Sequence, residues 1–333
     1  MTEFRPHPWL RNAHAMTLTG ALWPRPTRGL PPPRTRLFEV EAGTSLLAKC
    51  HWQADPRNHP ALAIVHGLEG SADSGYVRGL AASAFRAGFN VVRLNQRNCG
   101  GSERLTPTLY NSGMSDDYRA VLFELIERDR LREVFFAGYS MGGNLVLKMA
   151  GELGGKSPAE LRGVCGVCPT IDLEMCVRAL ESRGNWLYEA NFVFGLKRRL
   201  RRKNRLCPEK FIFRRSALRN VRTVRGFDEL VTAPSFGYAS AAEYYAMASA
   251  ARTMEQIKVP TLILTAKDDP FVPFAQFEAA NVRSNACITL VGTDCGGHCS
   301  FIADEQGSKR YWAEERIVEF CLHRANAQAQ ARG

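Results

Sequence analysis

The chain has 333 residues, 45% of them hydrophobic and 23% charged, with a formal net charge of +11. That balance fits a globular protein with a large core and excludes disordered, collagen-like and coiled-coil classes. There is no run of 18 apolar residues to make a membrane-spanning helix, and no repeat or low-complexity tract.

Residues 1–8 lack the apolar stretch of a secretory signal, so the ten cysteines are expected as free thiols in a reducing cytoplasm. Residues 1–35, rich in Pro, Arg and Trp, read as an irregular surface arm. Segments 36–42 and 45–52 flank a Gly-Thr turn and predict an antiparallel hairpin. Apolar runs then alternate with amphipathic stretches. Strands are expected at 61–66, 90–94, 133–138 and 163–168, and helices at 75–86, 115–128 and 141–153. Ser115, Asp116 and Asp117 open the second helix as capping-type residues. Cys165 and Cys168 fall in the fourth strand and read as small buried hydrophobes rather than a redox pair or half a zinc site. About ninety helical, basic residues then break the alternation. It resumes with strands at 260–266 and 286–292 and helices at 273–280 and 311–323.

Repeated strand–helix units imply an α/β fold with a mostly parallel central sheet and helices on both faces. The interruption implies an inserted helical cap. The expected division is an arm over 1–35, a core over 36–168 and 257–325, and a basic cap over 169–256. Ligands of such sheets bind at the carboxyl ends of the strands.

Gly138-Tyr139-Ser140-Met141-Gly142 fits G-x-S-x-G, and it sits between an apolar strand and a helix-competent run. In that setting the serine occupies a tight, strained strand-to-helix turn, with its hydroxyl exposed at a helix N-terminus. Glycines two residues either side avoid Cβ clashes. A serine nucleophile needs a general base, normally an imidazole. Of seven histidines, His298 in Gly296-Gly297-His298 follows the last strand and can reach the same sheet edge. A carboxylate must hold the ring's tautomer. Asp268 and Asp269 both follow the strand at 260–266, and Asp269, fixed by the Pro-Phe-Val-Pro that follows, is preferred. The order Ser140, Asp269, His298 is the order a serine triad takes on this kind of sheet. Oxyanion donors are expected at the backbone N–H groups of Met141 and of Leu68, in the loop His66-Gly67-Leu68-Glu69-Gly70. His66 is expected to brace that loop. The spacing of Cys295, His298 and Cys299 matches no zinc framework, and neither a metal nor an organic cofactor is expected.

Thirteen Lys/Arg residues against one acid, Glu209, lie between positions 197 and 225, among them Arg214 and Arg215. Phe192, Leu196 and Leu200 stripe an amphipathic helix expected over 191–206. The charge is read as a solvated face partly neutralised by Asp228, Glu229 and Glu243, with contact to anionic lipid as the competing reading. Nucleic acid is not an expected partner, since no binding fold accompanies the charge.

Taken together, these segments resemble the YheT-like branch of the α/β-hydrolase superfamily, which holds bacterial carboxylesterases and plant embryogenesis-associated hydrolases. The resemblance runs through Trp9-Leu10-Arg11-Asn12-Ala13-His14, the loop from His66, Asn95-Gln96-Arg97-Asn98-Cys99-Gly100-Gly101, the serine turn, Phe227-Asp228-Glu229, the segment from Ala266 to Phe271, and Gly296-Gly297-His298. It implies the α/β-hydrolase fold and a serine esterase or lipase-like activity through Ser140, Asp269 and His298. Some eukaryotic relatives act on phospholipids and carry an N-terminal membrane anchor, which is not expected here. The expected reaction is cleavage of a small-molecule or lipid carboxylic ester through an acyl-enzyme. Phospholipase, lipase or thioesterase action on acyl lipids is the alternative, and a non-catalytic ligand-binding protein on the same scaffold is the rival from another class. The oligomeric state is left open.

Overall fold

The computed structural model describes residues 3–208, 217–280, 282–304 and 310–331. Its strands are β1 (Arg34–Glu41), β2 (Thr44–His51), β3 (Ala61–Val65), β4 (Asn90–Leu94), β5 (Val134–Tyr139), β6 (Leu161–Val167), β7 (Thr261–Ala266) and β8 (Ile288–Thr293). They form one sheet in the order β1-β2-β4-β3-β5-β6-β7-β8. β2 runs antiparallel to both β1 and β4, and every other neighbouring pair is parallel. The hairpin turns on Ala42-Gly43, with Glu41 opposite Thr44 and Gly43 at φ 74°. This is one residue earlier than the expected Gly-Thr turn, because only the glycine tolerates the left-handed backbone there.

The central strands are buried on both faces, and successive residues alternate between two cores. In β3, Ala61, Ala63 and Val65 join one core while Leu62 and Ile64 join the other; in β5, Val134 and Phe136 oppose Phe135 and Ala137. Full burial of each large aliphatic side chain contributes about 1.5–3 kcal/mol.

The helices are α1 (Ala13–Leu22), α2 (Gly75–Arg86), α3 (Ser115–Glu127), α4 (Met141–Leu153), α5 (Leu173–Leu180), α6 (Trp186–Leu206), α7 (Val224–Phe227), α8 (Ala233–Ser235), α9 (Ala241–Ala248), α10 (Ala275–Ala279) and α11 (Trp312–Ala331). Leu145 of α4 and Val121 of α3 pack into the first core; Leu80 of α2 and Ile317 of α11 pack into the second. A π-helical turn, Asp228–Thr232, joins α7 to α8.

Three further local expectations differ from what is found. Helix α1 lies within the arm read as irregular: Asn12 caps it by accepting from the Ala15 N–H at 3.0 Å, and Met16 is fully buried. Helix α3 has no side-chain cap. Ser115 donates instead to Glu152, and Asp117 takes a two-point ion pair from Arg97. Helix α6 starts at Trp186, five residues before the expected 191, because Asn185 spends its amide on Ala179 and Pro270 carbonyls and closes the preceding turn.

Between β6 and β7 stand α5 to α9. Asn144 of α4 anchors them: its Nδ2 donates to the Ser112 and Ala248 carbonyls at 2.9 Å, and its Oδ1 accepts from Ala250 N at 2.8 Å. Three members of the basic run form ion pairs, but not with the acids expected. Arg199 meets Glu69, Arg202 meets Glu103, and Arg225 meets Glu174 and Glu181. Lys203 is fully buried and donates to the Glu103 and Thr106 carbonyls. Asp228, Glu229 and Glu243 instead serve neighbouring groups of their own segment: Thr232 and Tyr245, Ala241 N, and Ala239 N. Arg214, Arg215 and Glu209 lie outside the described residues. Among the described residues, no helix is long and apolar enough to cross a membrane.

Candidate active site

Loops leaving the carboxyl ends of β3, β5, β6, β7 and β8 carry the residues singled out from the sequence. Ser140 sits between β5 and α4 at φ 52°, ψ −120°, a strained conformation for a residue with a side chain. Its neighbours explain how the chain tolerates it. A Cβ on Gly138 would lie 2.1 Å from the Gly142 carbonyl oxygen, and one on Gly142 would lie 2.5 Å from the carbonyl oxygens of Val65 and His66. The turn therefore closes tightly enough to aim the Ser140 side chain off the sheet edge, while its N–H is held by the Val167 carbonyl at 2.8 Å.

His298 and Asp269 are brought together: Nδ1 of the ring lies 2.8 Å from Oδ2 of the carboxylate. The other Asp269 oxygen accepts from the N–H groups of Phe271 and Val272 at 3.1 and 3.0 Å, so the carboxylate has a fixed aim. Asp268 points elsewhere, accepting from Gly297 N at 2.9 Å, and so braces the loop that carries the ring. Helix α1 braces that loop from the other side, with Thr17 Oγ1 accepting from His298 N at 2.9 Å. The Phe271 ring packs on the imidazole, centroids 4.1 Å apart.

Nε2 of His298 faces the Cys299 thiol, 3.6 Å away. Among the described residues no hydrogen bond joins the ring to the Ser140 hydroxyl, so serine and imidazole share the edge without touching at hydrogen-bond range. Burial works against a charged ring, but the Asp269 carboxylate and the Cys299 sulfur outweigh it and raise the His298 pKa. Burial would raise the Cys299 thiol; the neighbouring Cys168 and the ring pull it down instead. Cys168 approaches from the end of β6, and its sulfur, the Cys299 sulfur and a ring nitrogen of His298 all lie within 4.8 Å of one another.

The loop after β3 leaves one donor free. Gly67 N donates to the Tyr76 hydroxyl and Glu69 N to the Tyr110 hydroxyl, while the Leu68 N–H between them has no partner among the described residues. The Met141 N–H, first in α4, is likewise unclaimed there. His66 is wholly buried, with its Nε2 accepting from Gln96 N at 3.1 Å. Burial lowers its pKa to about 4, so it stays neutral and braces the loop.

Ser140, Leu68 and Met141 open on a cleft of about 940 Å³, counting the space open to solvent. Its walls are apolar, with Val177 and Leu180 of α5 and Leu196 and Leu200 of α6 prominent. Sequence reasoning did not find the contributions of Arg199 and Thr17, and it set Cys168 and Cys299 aside as buried small residues and an unmatched cluster. The contacts of Arg199 and Thr17, and the approach of Cys168 to Cys299, join segments far apart in the chain, and no local pattern marks them.

The fold and this serine turn define a hydrolase scaffold, and comparison with known proteins assigns it: residues 60–305 match the alpha/beta hydrolase fold family, and the chain belongs to that family. Within it, this chain is similar to the Escherichia coli (strain K12) protein named "Putative esterase YheT", 30% identical over 96% of this chain and 92% of that one, and it belongs to the same branch. It is also similar to the monoacylglycerol lipase of Saccharomyces cerevisiae, 31% identical over 78% of this chain and 58% of the yeast protein. Phospholipase ABHD3 of Mus musculus is 27% identical over 75% of this chain and 60% of that one. The chain thus spans about three fifths of the yeast and mouse relatives. Among solved structures, Est1E from Butyrivibrio proteoclasticus superposes with a TM-score of 0.56 at 16% identity, over 88% of this chain and 99% of that one, a likeness of fold.

Proposed function

We propose that this chain hydrolyses carboxylic esters through an acyl-enzyme, with Ser140 as nucleophile, His298 as general base and acid, and Asp269 as the group that orients the ring. The observation that carries the reading is the 2.8 Å contact of Asp269 with Nδ1 of His298, on the sheet edge where Ser140 stands in its strained turn. The carboxylate fixes the proton on Nδ1 and leaves the Nε2 lone pair to act as base. The reading requires the ring or the serine side chain to rotate until the hydrogen bond closes, as such contacts tighten once substrate binds.

The Ser140 oxygen then bonds to the ester carbonyl carbon as its proton passes to Nε2. The carbonyl oxygen becomes an oxyanion, received by the Leu68 and Met141 N–H groups, each such donor contributing about 3 kcal/mol. Collapse breaks the carbon–oxygen bond to the alcohol, which leaves with the proton from Nε2. A water repeats the sequence on the acyl-serine, releasing the acid and restoring the hydroxyl.

The apolar cleft walls support an ester whose acyl part is a hydrocarbon chain, in keeping with relatives named as lipases and phospholipases. We read 169–256 as the cap that supplies those walls. The ion pairs of Arg199, Arg202 and Arg225 support the reading of the basic run as a solvated, partly neutralised face. A fluorophosphonate probe tests the assignment: wild type labels, and Ser140→Ala does not. Absence of labelling in active, folded wild type would sink it. A series of p-nitrophenyl esters of graded acyl length then reads out the cleft.

A further inference from the structure

We propose that Cys168, Cys299 and His298 form a binding site for one soft divalent cation, Zn²⁺ or Cd²⁺, and that its occupation silences the enzyme by taking Nε2 of His298 as a ligand. The binding half rests on geometry alone, and the silencing half rests on the reading of His298 as the base.

Two thiols and an imidazole are the donor set that soft and borderline divalent metals select. The three donor atoms come from the end of β6 and the loop after β8, and already lie within 4.8 Å of one another. In a tetrahedral site with Zn–S about 2.3 Å and Zn–N about 2.0–2.1 Å, a sulfur and a nitrogen on adjacent corners are about 3.6 Å apart and two sulfurs about 3.8 Å. The Cys299 sulfur stands 3.6 Å from Nε2, so that edge is in place. The remaining edges need a contraction of about 1.2 Å at most, since none exceeds 4.8 Å.

Surrounding groups suit a ligand set as well as they suit a base. A metal-bound histidine characteristically gives its other ring N–H to a carboxylate, and Nδ1 faces Asp269 at 2.8 Å. The Cys299 N–H points at the Cys168 sulfur at 3.3 Å, a donor aimed at one of the proposed ligand atoms. Cys168 and Cys299 both adopt left-handed backbone, φ 42° and 59°, although neither is glycine. That strained pair of turns is what brings the two sulfurs to one side of the ring. Three protein ligands leave a fourth position for water or substrate, the open form of a zinc site. The metal displaces protons from the two thiols and occupies the lone pair that would receive the Ser140 proton.

The test uses the full chain, kept reduced with a phosphine. One equivalent of Co²⁺ is expected to produce thiolate-to-cobalt charge-transfer absorption in the near ultraviolet, and Zn²⁺ to abolish it. Cys168→Ala and Cys299→Ala should each weaken cobalt binding by about 100-fold or more, since even outer-shell changes cost 10–100-fold. Zn²⁺ should block fluorophosphonate labelling of wild type, EDTA should restore it, and Cys168→Ala should label equally with and without Zn²⁺. No charge-transfer band at one equivalent, or a band that survives in both variants, overturns the site. If Cys168→Ala fails to fold by circular dichroism, Cys168→Ser and Cys299→Ala carry the comparison. A metal that binds at these thiols without blocking labelling overturns the silencing half. Metal-free wild type that never labels instead defeats the serine-hydrolase reading, and the cobalt spectrum still decides the site.

Discussion

Replacing Arg199 with methionine removes a guanidinium from helix α6 while keeping the length of the side chain, and it bears on whether that helix holds the proposed oxyanion loop in place. Glu69, next to Leu68 and itself at φ 57°, receives Nε of Arg199 at 2.8 Å, Nη2 at 3.3 Å and the Tyr110 hydroxyl at 2.7 Å. The two charged side chains are only 13% and 11% exposed. Deleting one partner of a pair buried to that degree leaves the carboxylate uncompensated, at a cost of about 3–5 kcal/mol, and the residual exposure places the expected loss at the lower end, about 3 kcal/mol. Part of that strain relaxes by movement of the loop carrying the Leu68 N–H. Complete loss of one oxyanion donor lowers kcat by about 10²–10³, so partial displacement should lower it by about 10- to 100-fold. The assay is a double-mutant cycle of Arg199→Met with Glu69→Gln, read by urea unfolding and by hydrolysis of a p-nitrophenyl ester. A coupling energy below about 0.5 kcal/mol, with kcat unchanged in Arg199→Met, would refute the link.

Asp269→Asn is expected to lower kcat by about 10⁴ through the wrong ring tautomer, whereas Asp268→Asn, which only loosens the loop, should lower it by about tenfold; the opposite ranking in steady-state kinetics reverses the assignment. Burial raises the Asp228 carboxyl from 3.8 to about 6, so the folded chain retains a proton that the unfolded chain has released. Stability should therefore fall as pH rises from about 4 to about 6, by on the order of 3 kcal/mol. Asp228→Asn should flatten that part of the profile, and urea unfolding across the range with an undiminished slope counts against it. Gly142→Ala places a methyl 2.5 Å from two backbone oxygens of the β3 loop and should destabilise by about 1–3 kcal/mol or more, seen as a lowered Tm; a neutral result would show that the serine turn has slack the structure denies.

Much of the core is legible in the sequence because it rests on local rules. The apolar runs of β3 and β5 have no polar phase, as strands covered on both faces require, and the glycines around Ser140 declare a turn that no side chain could share. Which carboxylate meets the His298 ring is also partly readable, since the Pro-Phe-Val-Pro segment that follows Asp269 presents the N–H groups that fix its aim. Long-range pairing was not. The partners of the basic run are Glu69, Glu103, Glu174 and Glu181, each at least 44 positions from its arginine, and nothing in the spacing of Arg199 or Arg202 points to them. Helix α1 was hidden by the prolines and arginines that flank it, although Asn12 marks its start. The approach of Cys168 to Cys299 depends on two left-handed residues without glycine, a conformation that sequence gives no reason to expect.

The hydrogen bond from His298 N to the Thr17 hydroxyl joins residues 281 positions apart. On the ribosome, where chains grow at about 5–20 residues per second, Thr17 emerges on the order of tens of seconds before its partner exists. The imidazole loop thus reaches its braced form only after residue 298 has been made, so every residue between Ser140 and His298 is added before the serine turn can meet the histidine proposed as its base.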